Sequence, residues 1–371
     1  YMEVLILGGT GAMGIHLIER LVAKGIFVTV TSRKDRDSAE YVTYVKGNAH
    51  DVNFLTTLLE RKRWDVIVDF MVYSTEEFRD RAELLLKSTK QYIFLSSARV
   101  YADSKEAITE DSSRLLDVSP DKKFLQTDEY PLSKAREENI LFESAHKNWT
   151  IIRPYITFSE IRLQLGVFEK EDWLYRALHG RTIVFSNDIA EKYTTLTYAF
   201  DVVNAMVQLM GNDKAHGEVF HITSDKAYTW NEILAVYLDV LEEKLSYRPK
   251  LLMLEKSITF KFGHPQYSVL YDRYYNRVFD NQKIKRFIEP DAFYDVKTGI
   301  RNCLQNFLVH PVFRGISWYL EALNDRVSGC RTPLHEIPSF YHKIGYLLVY
   351  AFPGYYKYIV KISRYGKLLF K

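Results

Sequence analysis

The chain has 371 residues, 47% apolar and 26% charged, a composition that fits one large or two medium globular domains and excludes a disordered or fibrous protein. A formal net charge of +3 gives it no general affinity for nucleic acid. Its two cysteines, Cys303 and Cys330, exclude a disulfide framework and lack metal-site spacing, so no metal is expected and the expected compartment is the reducing cytoplasm.

The first 160 residues alternate short β-rich runs with helical patterns, the signature of a parallel α/β sheet. Predicted strands are 4–7, 27–31, 41–45, 65–70, 91–95 and 150–152; predicted helices between them are 13–24, 52–62, 76–88 and 130–145. No secretory leader is read ahead of the first strand. Right-handed crossovers put helices on both faces of such a sheet, and ligands bind at the carboxyl ends of its strands. Beyond Pro154 the alternation weakens: a loop-rich stretch 159–193 precedes a helix at 200–210, a strand at 218–222 and a helix at 230–243. The expected fold is therefore a Rossmann-type doubly wound sheet with a smaller mixed C-terminal region and a basic aromatic tail. Its expected boundaries are 1–158 for the dinucleotide domain, with 195–225 returning to it. Residues 159–194 and 226–300 form the smaller region, and 301–371 a helical extension. No apolar run reaches the roughly 20 residues needed to span a bilayer.

Gly8-Gly9-Thr10-Gly11-Ala12-Met13-Gly14 follows the first strand and opens a helix, the context a dinucleotide loop requires. Small residues let the backbone approach a pyrophosphate, and the helix N-terminus supplies unpaired amides. The second strand ends Thr31-Ser32-Arg33-Lys34, with no acid before Asp35. An acid there would favour NAD and a nearby arginine a 2′-phosphate, so Ser32 and Arg33 favour NADP(H), with NAD(H) the alternative.

Tyr130-Pro-Leu-Ser-Lys134 sets a phenol and an ammonium on one helix face. A positive charge nearby lowers the cost of ionising a phenol, which can then exchange a proton with an alcohol or ketone. Ser96-Ser97 ends the fifth strand shortly before it, and by chemistry alone either hydroxyl could act.

With glycine loop, serine and Tyr-x-x-x-Lys in order, residues 2–300 resemble the extended short-chain dehydrogenase/reductase family of sugar-nucleotide epimerases, dehydratases and reductases. Gly47-Asn48-Ala49-His50-Asp51, Ser97-Ala98-Arg99-Val100-Tyr101 and Arg153-Pro154 look like further family stretches. The resemblance implies Ser97 as the hydroxyl that orients the substrate oxygen, its register with Val100-Tyr101 favouring it over Ser96. It implies Tyr130 as acid/base and Lys134 on the nicotinamide ribose. Gly8, Thr10, Gly11, Ala12, Met13 and Gly14 would face the pyrophosphate. Asn48, where the family usually has aspartate, and Ala49 would meet the adenine; Phe70 and Val72 would line the pocket. A nucleotide-linked sugar is the implied substrate, with Arg162, Arg181 and Lys192 candidates for its diphosphate and Arg273 and Arg277 behind them. A homodimer is implied by analogy.

Three departures shape the expected reaction. Ala98-Arg99 replaces the Asp-Glu pair of the 4,6-dehydratases, which disfavours dehydration. Asp69-Phe70-Met71-Val72-Tyr73 is bulkier than the small-residue motif of epimerases, and Ala102 replaces the usual glycine after Tyr101. Reduction of a keto-sugar is favoured, with an NAD-dependent epimerase as the alternative. A non-catalytic nucleotide-sensing or RNA-binding protein of the same fold is the alternative from another class.

From Ser339 to Lys371 there is no acid but six cations: Lys343, Lys357, Lys361, Arg364, Lys367 and Lys371, interleaved with tyrosine and phenylalanine. Three expectations compete: packing on the rest of the chain or a second subunit, peripheral contact with the inner membrane face, and nucleic-acid binding.

Overall fold

The computed structural model describes residues 1–369, with side chains to Tyr365; Phe370 and Lys371 of the basic tail lie outside the described residues, as does the Lys367 side chain. The chain divides into two compact units, 1–159 with 195–227 and 278–296, and 160–194 with 228–277 and 297–371.

The first unit is a seven-stranded sheet of β1 (Glu3–Leu7), β2 (Phe27–Ser32), β3 (Val42–Lys46), β4 (Trp64–Asp69), β5 (Thr89–Leu95), β6 (Trp149–Pro154) and β7 (Glu218–Ile222). Its order is β7-β6-β5-β4-β1-β2-β3 and every pairing is parallel. The order reverses between β1 and β4, the switch point beside which doubly wound sheets bind ligands.

Strand alternation builds two cores. Val4 and Ile6 of β1 face one side with Val30, Val68 and Ile93, covered by Leu17 and Leu21 of α1 (Ala12–Ala23) and by Val202 and Met206 of a helix at Ala199–Leu209. Leu5 and Leu7 face the other side with Ile67 and Phe94. They are covered by α2 (Val52–Glu60), α3 (Thr75–Lys87) and α4 (Tyr130–Glu143). A side-chain period of two makes each strand serve both layers.

Residues 278–296 fall in the first unit, whereas the sequence suggested that 226–300 would stay together. The reason is local packing: Ile284 is part of the sheet core, and Phe279 bridges to Ile108. The second unit contains structure in the stretch expected to be loops. Helix α5 (Lys170–Leu178) starts at a reciprocal Glu169/Asp172 cap and buries Trp173, Leu174 and Ala177. Ile183–Ser186 pairs in parallel with Leu251–Leu254. Residues 297–371 belong to this unit instead of forming a separate extension. Arg176 of α5 is fully buried between Glu321 (2.9 Å) and Asp325 (2.8 Å) of helix α6 (Trp318–Ser328).

Candidate active site

β1 ends at the glycine loop, and the loop's shape follows from contacts that exclude a side chain. A Cβ on Gly14 would lie 2.4 Å from the Gly9 carbonyl oxygen, and one on Gly9 would lie 2.5 Å from Ile6 Cγ2. Gly8 sits at φ +70° with Met71 against it, and its amide donates to Thr31 Oγ1 at 3.1 Å. Gly11, the N-cap of α1, differs: a Cβ there would meet nothing within 4 Å. No side chain caps this helix end. The first-turn amides thus have no side-chain partner at this helix N-terminus, and Gly11 leaves room beside them, an arrangement that fits a pyrophosphate.

Around the loop, Ser32 is buried and its Oγ accepts from the Lys34 amide at 3.2 Å, while Arg33 is exposed. Asp35 pairs with Lys46 at 2.7 Å. Asn48 is exposed, and its Oδ1 accepts from the His50 amide at 3.0 Å, so its carbonyl serves its own turn. The Ala49 and His50 carbonyls are held by Arg81, a 2% exposed arginine of α3, at 2.8 and 3.0 Å. Phe70 is half-buried against the sheet core and Val72 is 59% exposed.

The carboxyl end of β5 gathers the residues expected to react. Tyr130 is the first residue of α4 and Pro131 follows within its first turn, where a missing amide hydrogen costs nothing. Lys134, one turn on, is 2% exposed, and its Nζ donates to the Leu95 carbonyl at 2.8 Å. Its ammonium lies 5.8 Å from the Tyr130 ring centroid and 4.8 Å from that of Phe94. The guanidinium of Arg99 lies 5.4 Å from the Tyr130 centroid, so two cations flank the phenol.

The two serines separate. Ser96 Oγ donates to Glu138 Oε2 at 2.6 Å, and Arg153 grips the same carboxylate at 2.8 and 2.7 Å, with Arg114 at 3.1 Å. Ser96 thus belongs to a buried structural network. Ser97 Oγ accepts from the Arg99 amide at 3.1 Å at the mouth of β5. Tyr101, fully buried, bonds His221 Nδ1 at 2.9 Å and ties the serine turn to edge strand β7. Burial holds His221 down to about 4, hence neutral, with Nε2 donating to the Asp280 carbonyl.

Beneath the helix lies an acidic pair that spacing alone did not single out. Asp69, at the end of β4, accepts from Tyr92 (2.7 Å) and Tyr73 (3.0 Å). Glu137 is fully buried and its carboxyl is pushed up to about 8 by burial, against the pull of Lys134 and Ser133. Ser133 Oγ donates to Glu137 Oε2 at 2.8 Å, with the Tyr73 carbonyl 3.2 Å away as a second acceptor. The signal was a second acid on α4, Glu137 beside Glu138, in a helix whose buried residues surround it.

Of the expected diphosphate ligands, Arg181 is corrected. It is 7% exposed and Glu336 occupies its fork at 3.1 and 2.8 Å. Arg273 and Arg277 likewise both engage the buried Asp272. Arg162 is half-exposed, 3.5 Å from Glu169, and Lys192 is half-buried.

Among curated proteins, the chain is 28% identical over 246 residues to the chloroplast stem-loop binding protein of 41 kDa b of Arabidopsis thaliana, covering 62% of this chain and 60% of that protein. The chain therefore spans about 60% of the length of that relative. It is 25% identical over 254 residues to the UDP-N-acetyl-alpha-D-glucosaminuronate decarboxylase of Bacillus cytotoxicus, covering 62% of this chain and 77% of that one. Among solved structures it shares its fold with the dTDP-glucose 4,6-dehydratase of Bacillus anthracis in complex with NAD. The TM-score is 0.62 at 15% identity, over 84% of this chain and 97% of that one. The model of the NAD dependent epimerase/dehydratase family matches residues 4–223, well over half of the chain. The chain belongs to that enzyme family, of the extended short-chain dehydrogenase/reductase type.

Proposed function

We propose that this protein is a nicotinamide-dependent oxidoreductase acting on a nucleotide-linked sugar, and that it reduces a keto-sugar with NADP(H). The observation that carries the reading is Tyr130, placed at the mouth of β5 between the Lys134 and Arg99 cations with Ser97 on the adjoining turn. With its pyrophosphate at the glycine loop, the dinucleotide would supply the hydride from its nicotinamide. Ser97 would hold and orient the substrate oxygen, and Tyr130 would deliver a proton to it from its phenol. Lys134 and Arg99 would stabilise the phenolate left behind. Lys134 would also hold the nicotinamide ribose.

The amides of Thr10 to Met13 would take the pyrophosphate, and Asn48, Ala49, Phe70 and Val72 would flank the rest of the dinucleotide. Arg33 and Ser32 would take the 2′-phosphate, a preference supported by the engagement of Asp35 with Lys46. Arg162 and Lys192 remain candidates for the sugar-nucleotide diphosphate. Ala98 and Arg99 stand where dehydratases carry their acid pair, which supports hydride and proton transfer without elimination.

An epimerase would use the same residues twice, oxidising and then reducing the opposite face, and the family's name favours it as the second reading. An RNA-binding role is supported by the name of the chloroplast relative. One set of assays separates the three. Nucleotide-linked keto-sugars are offered with NADPH and with NADH. Stoichiometric consumption of NADPH is expected, falling about 10²–10⁴-fold in Tyr130→Phe with dinucleotide binding retained. Interconversion by purified protein with bound NAD and no external requirement would instead identify an epimerase. No turnover on any sugar, with retention of stem-loop RNA, would establish the binding role.

A further inference from the structure

We propose that the two C-terminal helices, α7 (Phe340–Ala351) and α8 (Tyr356–Leu369), form a monotopic anchor that lays its outer face on an anionic lipid surface. Their inner faces are fastened within the second unit. Gly345 lets α7 approach α6 so closely that a Cβ would lie 2.0 Å from Tyr319 Cε1. The Tyr346 hydroxyl donates to Asp325 at 2.6 Å and accepts from the Thr332 amide at 3.0 Å. On α8, Tyr356, Ile359, Val360 and Ser363 are half-buried. The pair is a built platform.

The outer faces are apolar and solvent-exposed. Phe340 (72%), Tyr341 (69%), Ile344 (41%), Leu348 (43%) and Phe352 (57%) are exposed along α7 and its end. Tyr355 (62%) on the connecting turn and Tyr358 (63%), Ile362 (70%) and Tyr365 (58%) on α8 continue it. The three on α8 recur at intervals of four and three, so they occupy less than a quarter of the helix circumference. Lys357, Lys361 and Arg364 are exposed and recur at four and three, which sets a cationic stripe beside the aromatic one. A helix end that merely packed on its own domain would turn charge outward; here aromatic and aliphatic residues face out with charge at their flank.

Charge selects the occupant. No acid lies between Ser339 and Lys371. A two-fold contact with a second copy would set this patch against itself, cation against cation, with no carboxylate in the patch to neutralise them. Stacking on bases would use the tyrosines but leave Ile344, Leu348 and Ile362 without a planar partner. An anionic headgroup layer over hydrocarbon satisfies both stripes, with tyrosine at the boundary. No described helix is long and apolar enough to cross a membrane, so the pair would lie in the surface plane.

The test is sedimentation of the full chain with vesicles of phosphatidylcholine, alone or mixed with phosphatidylserine. Retention by the mixed vesicles, weakened by salt, is expected. Tyr358→Ser/Ile362→Ser/Tyr365→Ser should reduce retention at least about tenfold. Lys357→Glu/Lys361→Glu/Arg364→Glu should abolish the preference for phosphatidylserine. Unfolding temperature and dinucleotide titration should be unchanged in both, because the altered side chains are solvent-facing. The proposal is overturned if neither vesicle retains the protein. It is equally overturned if the triple serine variant only dissolves a concentration-dependent dimer, or if a single-stranded oligonucleotide is held more tightly than the vesicles. None of these outcomes depends on which sugar is turned over.

Discussion

Arg99 stands where related dehydratases carry an acid, and its guanidinium sits over the ring of the proposed proton donor. A cation at that distance stabilises the negative charge that proton donation leaves on the phenol, so its removal should slow turnover. For Arg99→Met a loss of about tenfold or more in kcat is expected, with a smaller loss in Arg99→Lys, read from steady-state kinetics at a single pH. An arginine that merely held the turn would lower the unfolding temperature of both variants and leave the kcat of the folded enzyme in place. Glu137 yields a prediction of a different kind. Its carboxyl ionises near its ordinary 4.5 in the unfolded chain and at about 8 when folded, because burial disfavours the charge. Between those values the folded state holds the extra proton, so this residue's contribution to stability is greatest below about 4.5 and falls as pH rises towards 8. Glu137→Gln, which keeps the shape without the charge, should therefore exceed the parent in stability by more than about 1 kcal/mol at alkaline pH and match it in mild acid. Urea unfolding at the two pH values reads the difference; an equal difference at both would show that Glu137 is not the titrating group.

At the scale of the element, the glycine loop and α4 show how one short segment meets two demands. Gly14 is required by packing and Gly11 by the space it leaves open, and substitution separates the roles. Gly14→Ala forces a Cβ into the Gly9 backbone and should cost on the order of 2–4 kcal/mol. Gly11→Ala meets no protein atom within 4 Å and should change stability by less than about 1 kcal/mol, yet weaken NADPH and NADH alike by crowding the pyrophosphate approach. Thermal unfolding and fluorescence titration of the two variants measure the split. Loss of stability in both, or of affinity in neither, would remove the loop from the cofactor reading. Helix α4 likewise meets two demands along one face: Tyr130 and Lys134 stand at the strand mouth, while Glu138, one turn further on, anchors Arg153, Arg114 and Ser96. The Arg153-Pro154 pair was visible in the sequence, but its partner carboxylate was not. Nothing in the spacing of residues 138 and 153 says that β6 passes beside α4.

At the scale of the molecule, alternation of strand and helix and one strand-loop-helix junction were enough to read the parallel sheet, its glycine loop and the order of the reactive residues. Those signals are local: period two in strands, small residues at a tight turn, and i to i+4 spacing on one helix face. What folding decided was which polar groups were already taken. Arg181 read as a phosphate ligand because an isolated arginine in sequence carries no sign of its partner, and Glu336 lies 155 residues away. Arg273 and Arg277 are similarly satisfied by Asp272. Ser96 and Ser97 are chemically equal in sequence and differ only because Glu138 reaches one of them. The tail follows the same rule: its composition allowed packing, membrane contact or nucleic-acid binding, and in the folded helices one stripe is partly buried while another is exposed. Sequence by itself determined the sheet and the identity of the groups at its mouth, because backbone periodicity and helix spacing act between near neighbours. Only the tertiary structure decided which charges are spent on each other, because a buried ion pair forms between residues whose separation along the chain carries no pattern.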